Sequence, residues 1–434
     1  MALVRTMRDQ FDWGLFVTSC AIAVLGVVNL YSASSAAGAR SDIYIQQIYW
    51  LTLGTGVAVL VVAIDYRHFE RNAWFIYGAG IVLLVLVFLL GRSIRGSTRW
   101  ISIGGFSLQP SELMKIFLIV ALAKYLHHDP KTDGRTLKDL VVPGLILAVP
   151  MGLILLQPDL GTALICAFIF GSIMVLTNLK LRSLLTLAAA FVFSAPLTWA
   201  YLLKDYQKGR ITAFWSRLTG NEADILDTGW HTHQSLVAIG SGGITGKGFM
   251  QGTQNQFRFL PDQHSDFPFA VWAEEQGLLG SMLLLGLYVF LVIWGLRIAS
   301  QAKDRFGAVT AVGVSAMLFW QAIINVGMVC GLLPVVGMTL PLFSYGGSSV
   351  LTTMLGLGLL IKRLQERAGQ PQSSQLLCMS LFPGFHRATT RSCCARRPAS
   401  AAAPSAPRRG GTSSGHYEQH TETLLHQGIN ATLQ

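Results

Sequence analysis

Charge is scarce in this chain. Only 13% of its 434 residues are Asp, Glu, Lys or Arg, whereas 52% are hydrophobic and the mean hydropathy is +0.48. A water-soluble domain carries about a quarter of its residues as charges, so this shortage excludes a soluble globular protein and points to a bilayer. Acids are the scarcer sign, 22 Asp and Glu against 33 Lys and Arg, for a formal net charge of +11. No basic stretch is interleaved with aromatics, so the excess is not the footprint of a nucleic-acid surface; most of the cations sit in short loops or in the C-terminal tail. Within the apolar part of the chain Cys20, Cys166 and Cys330 stand singly. They have neither metal-ligand nor disulfide spacing, which argues against redox chemistry and reads as small core residues. A nucleotide P-loop is also lacking, since Gly240-Ser-Gly-Gly243 and Gly246-Lys247-Gly248 have the wrong spacing for one.

What the chain has in abundance is apolar length. Runs of the roughly 17–25 residues needed to cross a bilayer as helix recur near 13–34, 47–64, 73–91, 111–126, 139–156, 160–178, 183–203, 267–296, 307–332 and 346–361. The expectation is an all-α integral membrane protein of about ten spans. Ser32-Ala33-Ser34-Ser35-Ala36 resembles a signal-peptide cleavage region, but the length of the first run and the spans after it favour an uncleaved helix. Short loops rich in Lys and Arg stay cytoplasmic. The clusters at Arg5 and Arg8, Arg67 and Arg71, Lys124 to Lys138, Lys180 and Arg182, Arg297 to Arg305, and Lys362 to Arg367 all fall on one side. Both termini are then cytoplasmic, and a large extracytoplasmic loop, 204–266, joins helices seven and eight. Arg92, Arg95 and Arg99 break the pattern in an outward loop, as contacts to an anionic ligand or as a tolerated deviation.

The composition changes near Gln370, which divides the chain into a membrane domain, 1–370, and a tail, 371–434. The tail holds six Arg, no Lys, three Cys and a Ser/Ala/Pro/Gly-rich centre. Such a segment cannot bury enough apolar area to offset chain entropy and is expected to be disordered. Its composition also fits a shifted reading frame or a cloning artefact. Cys393-Cys394 is a weak palmitoylation signal.

Chemistry concentrates where ionisable groups meet apolar sequence. His264 and Asp266 lie at the brink of the 267–296 run, where a carboxylate is costly and usually functional; capping the following helix is the alternative use of an Asp there. Glu112 and Lys115, three apart, share a helix face and can pair inside the bundle or line a cavity. Arg99, Arg210 and Lys247 lie in outward segments, and the glycines around Lys247 offer backbone amides to an anion or simply permit a turn. Pro334, Pro341 and Ser344-Tyr-Gly-Gly-Ser-Ser349 interrupt helix beside a cavity or allow close packing. Asn325, polar inside a span, is expected to make an interhelical hydrogen bond. His231 and His233, two apart without a third ligand, are a poor metal site.

Several of these segments converge. Arg95-Gly-Ser-Thr-Arg99-Trp100, Gln109-Pro-Ser-Glu112-Leu-Met-Lys115, Gln157-Pro-Asp159-Leu-Gly161-Thr162, Tyr206-Gln207-Lys-Gly-Arg210, Gln234-Ser235-Leu-Val-Ala-Ile-Gly-Ser-Gly-Gly243, His264-Ser-Asp266-Phe, and the stretch from Asn325 through Ser344 to Ser349 occur in order over about residues 10–367. Together they resemble the SEDS proteins of bacterial cell-wall synthesis, and Ala273 before the Glu-Glu pair resembles the elongation branch more than the division branch. Pro268, and the two His in Trp230-His-Thr-His233, depart from the family pattern. The resemblance implies an inverting peptidoglycan glycosyltransferase of the bacterial cytoplasmic (inner) membrane that polymerises lipid II at the outer face during elongation. It further implies release of undecaprenyl diphosphate and a class B penicillin-binding protein as transpeptidase partner. The family's essential aspartate falls on Asp266, suited to take the acceptor hydroxyl's proton. Arg99, Glu112, Lys115, Arg210, Gln234, Ser235, Lys247, His264 and Ser344 are expected to bind substrate. The departing diphosphate needs cations, supplied by side chains or by a divalent ion such as Mg or Mn. A lipid flippase, or a scaffold that only recruits the transpeptidase, are the competing readings. The first would place its ionisable groups near the bilayer midplane with repeat symmetry, and no internal repeat is evident.

Overall fold

The computed structural model describes residues 12–35, 42–94, 97–103, 106–129, 135–177, parts of 179–219, 229–257, 259–260 and 263–368. The tail with Cys393-Cys394, and about half of the seventh expected span, 183–203, lie outside the described residues. Each of the other expected spans coincides with a helix: α1 (Trp13–Ser35), α2 (Ile43–Ala63), α4 (Ala73–Leu90), α5 (Pro110–His128), α6 (Val141–Leu156), α7 (Leu160–Leu176), α11 (Pro268–Ser300), α12 (Arg305–Val329) and α13 (Gly347–Ala368). Shorter helices are α3 (Tyr66–Arg71), α8 (Asp205–Leu218), α9 (Trp230–Gly242) and α10 (Thr253–Gln256). Six candidate spans among the described residues are long and apolar enough to cross a membrane. Helix α5 is not among them, because Glu112, Lys115 and Lys124 interrupt it.

Local chemistry sets where several helices begin. Asp12, Asp65, Asp159 and Asp304 accept hydrogen bonds from the first-turn amides of Leu15, Arg67, Thr162 and Gly307, satisfying donors that have no partner within the helix itself. Helix α12 is the central post. Of its most apolar stretch 83% is buried in protein, against 44% or less for the other candidate spans; α5, α7 and α11 pack around it. The connection between α4 and α5 is an antiparallel sheet of β1 (Arg92–Ile94), β2 (Ser97–Ile103) and β3 (Phe106–Leu108), in that order. Arg92 faces Trp100 across the first pair and Ile101 faces Leu108 across the second. Hydropathy could not announce this sheet, since strands this short carry no span-length signal.

Helix α11 is broken at Gly277 (φ 65, ψ −161). The break is filled by backbone from the loop after α9. Lys247 N and Gly248 N donate to Glu274 O and Glu275 O, while Leu278 N and Leu279 N donate to Gly243 O and Ile244 O. Four of the backbone groups freed by the interruption thereby find partners, which is what irregular backbone in an apolar setting requires. Glycine is obligatory at the seam, because a Cβ on Gly277 would lie 2.3 Å from Gly246 N. The half-helix from Pro268 to Gln276 is consequently a separate piece, free to present its N-terminal end at an angle of its own.

Candidate active site

Asp266 sits one residue before the N-cap of α11, a position held by Phe267. The capping alternative for this Asp therefore does not describe its place in the chain. The segment around it is tied by four hydrogen bonds to three different elements, α1, α12 and the loop after α12: Gln263 Nε2 donates to Ala33 O of α1 (3.0 Å), Asn29 Nδ2 of α1 to Pro268 O (2.9 Å), Asn325 Nδ2 to Asp266 O (3.1 Å) and Tyr345 N to His264 O (2.9 Å). Each bond contributes on the order of 1 kcal/mol, and together they fix a stretch that has no regular structure of its own.

Opposite lies the loop between α12 and α13. Gly337 has φ +74, and the point where its side chain would begin is 3.4 Å from Asp266 Oδ2 and 4.0 Å from Arg210 Nη1. The absence of a side chain leaves the carboxylate and the guanidinium facing one space. Arg210, on α8, is aimed by donating to Val335 O at 3.0 Å. Burial holds the Tyr345 phenol above its ordinary value, and its hydroxyl donates to Gln46 Oε1 of α2 at 2.6 Å.

These groups open onto a cavity of about 2310 Å³ lined by Asp266, His264, Arg210, Gln207, Arg99, Glu112, Asp159 and Pro334 to Thr339. Its other wall is apolar and includes Tyr49, Trp50, Leu53, Val57 and Leu60 of α2 with Leu160 and Leu164 of α7. Leu53 and Leu60 are at least half exposed, so this wall is continuous with the outer surface of the bundle. Arg99 holds the turn before α7, donating to Gln157 O at 3.1 Å and to Pro158 O. Asp159 is almost saturated: it accepts from Gln109 Nε2 (2.8 Å), Ser111 Oγ (3.0 Å) and Thr162 Oγ1 (2.9 Å), with Arg99 Nη1 at 3.8 Å.

Of the expected substrate contacts, Arg99, Glu112, Arg210 and His264 share this cavity with Asp266. The others are placed elsewhere, and their contacts are with the protein itself. Lys115 is fully buried and donates to Glu112 Oε2 at 2.7 Å. Lys247 Nζ is 2.6 Å from Glu274 Oε1, a carboxylate also bonded by Thr253 Oγ1 and Gln254 N. Ser235 Oγ donates to Val329 O (2.5 Å), joining α9 to α12, and Gln234 beside it is 9% exposed. Ser344 Oγ accepts from Leu340 N at 2.8 Å, closing its own turn. Sequence reasoning passed over Asp159 as a site residue, although an intramembrane carboxylate is itself a functional signal; it also missed Gln207, Gly337 and Tyr345, whose placement depends on tertiary contacts.

The carboxylates lining the cavity are a poor donor set for a metal. Glu112 is ion-paired with Lys115, Asp159 is consumed by its donors, and Asp266 faces a guanidinium. No group of three or more His, Cys, Asp or Glu among the described residues could hold one. His231 instead lies parallel to Phe267, with ring centroids 6.3 Å apart.

Comparison with known proteins agrees in extent with this fold. The profile of the FtsW/RodA/SpoVE family, described as that of a cell cycle protein, matches residues 12–368. The peptidoglycan glycosyltransferase MrdB of Escherichia coli K12 is 38% identical over 346 residues, covering 78% of this chain and 91% of the relative. The peptidoglycan glycosyltransferase RodA of Treponema pallidum is 32% identical over 431 residues, covering 82% and 98%. A chain solved in a peptidoglycan synthase complex, described as coordinating polymerization and crosslinking, superposes with a TM-score of 0.71 at 34% identity, covering 83% of this chain and 99% of that one. A membrane-embedded helical bundle with this order of motifs and this extent of match belongs to the FtsW/RodA/SpoVE family of SEDS proteins.

Proposed function

We propose that the protein is a peptidoglycan glycosyltransferase that polymerises lipid II during cell elongation at the outer face of the bacterial cytoplasmic membrane. One observation carries the reading: a single cavity joins the Asp266 carboxylate and the Arg210 guanidinium to an apolar wall on α2. Such a cavity suits a substrate with a long hydrocarbon tail and a charged sugar-diphosphate head. Asp266 accepts the proton of the acceptor sugar's 4-hydroxyl as that oxygen attacks the donor's anomeric carbon. The bond from that carbon to the diphosphate oxygen breaks on the opposite face, so the centre inverts. The leaving polyprenyl diphosphate takes the bonding electrons, and Arg210 meets its charge through the fork geometry that suits phosphate. The carboxyl then returns its proton to water. No step requires a nucleotide, because the donor is already activated. The Lys- and Arg-rich short loops support cytoplasmic termini, and likeness to a chain from a synthase complex supports a class B penicillin-binding protein as partner.

The test is polymerisation of labelled lipid II by protein reconstituted with its partner. Asp266→Asn keeps the shape and removes the base, so it cuts polymerisation to a small residual rate while leaving insertion and partner binding intact. Polymer at near wild-type rate would remove Asp266 from the chemistry and favour the flippase or scaffold reading.

A further inference from the structure

The Asp266 carboxylate is carried by a non-helical segment, and catalytic geometry is lost by displacements of about 1 Å. Something rigid must therefore set its position against the loop that faces it. Asn325 is placed to do so. It projects from α12, the most buried of the candidate spans, and is itself 0% exposed. Its Nδ2 donates both to Asp266 O (3.1 Å) and to Met338 O (2.5 Å). Those two carbonyls belong to the two strips of backbone that frame the catalytic space: one bears the carboxylate, and the other holds Gly337 beneath it and Val335, the acceptor for Arg210. A single amide with two N–H bonds thus spans the gap between base and cation supports, from the stiffest element in the bundle.

We infer that Asn325 is the positioning residue of the active site, holding the Asp266 segment in register with the Gly337 loop so that carboxylate and guanidinium meet one substrate. It touches neither reacting atom and acts through backbone. The inference rests on the proposed role of Asp266. A purely structural Asn would also matter to folding, so its position is distinguished by which kinetic quantity it moves. The chemistry of the side chain gives the substitutions: Leu keeps the branching at Cγ without donors, and Ser keeps one donor of the two.

The experiment measures lipid II polymerisation and thermal unfolding for the wild type, Asn325→Leu, Asn325→Ser, Asp266→Asn and the Asn325→Leu/Asp266→Asn double variant. Asn325→Leu should lower kcat by about 100-fold, the scale of a misplacement near 1 Å, with KM within about twofold because the cavity's binding walls are unchanged. Asn325→Ser should recover part of that loss. In the Asp266→Asn background Asn325→Leu should add nothing to the residual rate, the signature of two residues acting as one unit. If Asn325→Leu fails to fold, Asn325→Ser carries the test through its kcat-to-KM split. Wild-type kcat in a folded Asn325 variant, a loss in KM alone, or additive losses in the double variant overturns the positioning role. Near wild-type activity in Asp266→Asn overturns the base assignment instead, so the two failures are told apart.

Discussion

Replacing Gly277 by Ala should unpick the seam in α11. An L-residue at φ 65, ψ −161 occupies backbone space that is essentially reserved for glycine, at a cost of about 1–3 kcal/mol. The new methyl would also lie 2.3 Å from Gly246 N and 2.6 Å from Ile244 O. Both contacts are backbone and cannot rotate away, so the loop has to withdraw. Withdrawal breaks the four hydrogen bonds made by Lys247, Gly248, Leu278 and Leu279 amides, each contributing roughly 0.5–1.5 kcal/mol. The combined penalty is roughly 3–9 kcal/mol. Amide hydrogen exchange in lipid nanodiscs reads this directly: those four amides should exchange at least about 100-fold faster than in the wild type, since each 1.4 kcal/mol is a factor of ten. Gly286→Ala in the same helix is the control, because its Cβ meets nothing within 4 Å, and it should leave protection at the seam unchanged. Wild-type protection in Gly277→Ala would show that the loop does not depend on the break.

Arg210→Ala should cut polymerisation severely at matched protein levels, and Arg210→Lys should restore only part, because a point ammonium lacks the two-pronged geometry of guanidinium; equal turnover of Ala variant and wild type refutes a diphosphate contact. Lys247→Met leaves the fully buried Glu274 without its cation and should cost about 3 kcal/mol of stability, the lower end of the range for a broken buried pair, since Lys247 is 25% exposed. Adding Glu274→Gln should recover most of that loss, and a thermal unfolding series with no recovery contradicts the pairing. Ending the chain after Gln370, just past the family match at 368, should leave insertion and polymerisation at wild-type levels, as measured by membrane fractionation and the lipid II assay.

Apolar run length made the helices legible, since a bilayer imposes one length on every span. What it hid were interruptions inside a run. The stretch 267–296 reads as one helix because Gly277 is compatible with a helix pattern, and only the loop from 243 to 248 filling the gap reveals the break. The site was legible where charge met apolar sequence, as at Asp266, Arg99 and Arg210. It was not legible where a polar residue's job depends on what lies across from it. Lys247 and Ser235 read like ligand contacts, yet one neutralises Glu274 and the other fastens α9 to α12. Residue type announces that a polar group needs a partner inside a bundle, but not whether that partner is protein or substrate.

The apolar wall of the cavity sets the terms on which a substrate is counted. Because Leu53 and Leu60 of α2 belong both to that wall and to the outside of the bundle, an amphiphile reaches Asp266 by moving sideways within its own leaflet. The concentration that governs occupancy is then a surface density, the mole fraction of substrate among the surrounding lipids. Diluting vesicles in buffer at constant lipid composition leaves the rate per enzyme unchanged, whereas adding inert lipid to the same bilayer slows it. Half-saturation for this protein is a property of the membrane's makeup, and a value taken in detergent describes the micelle.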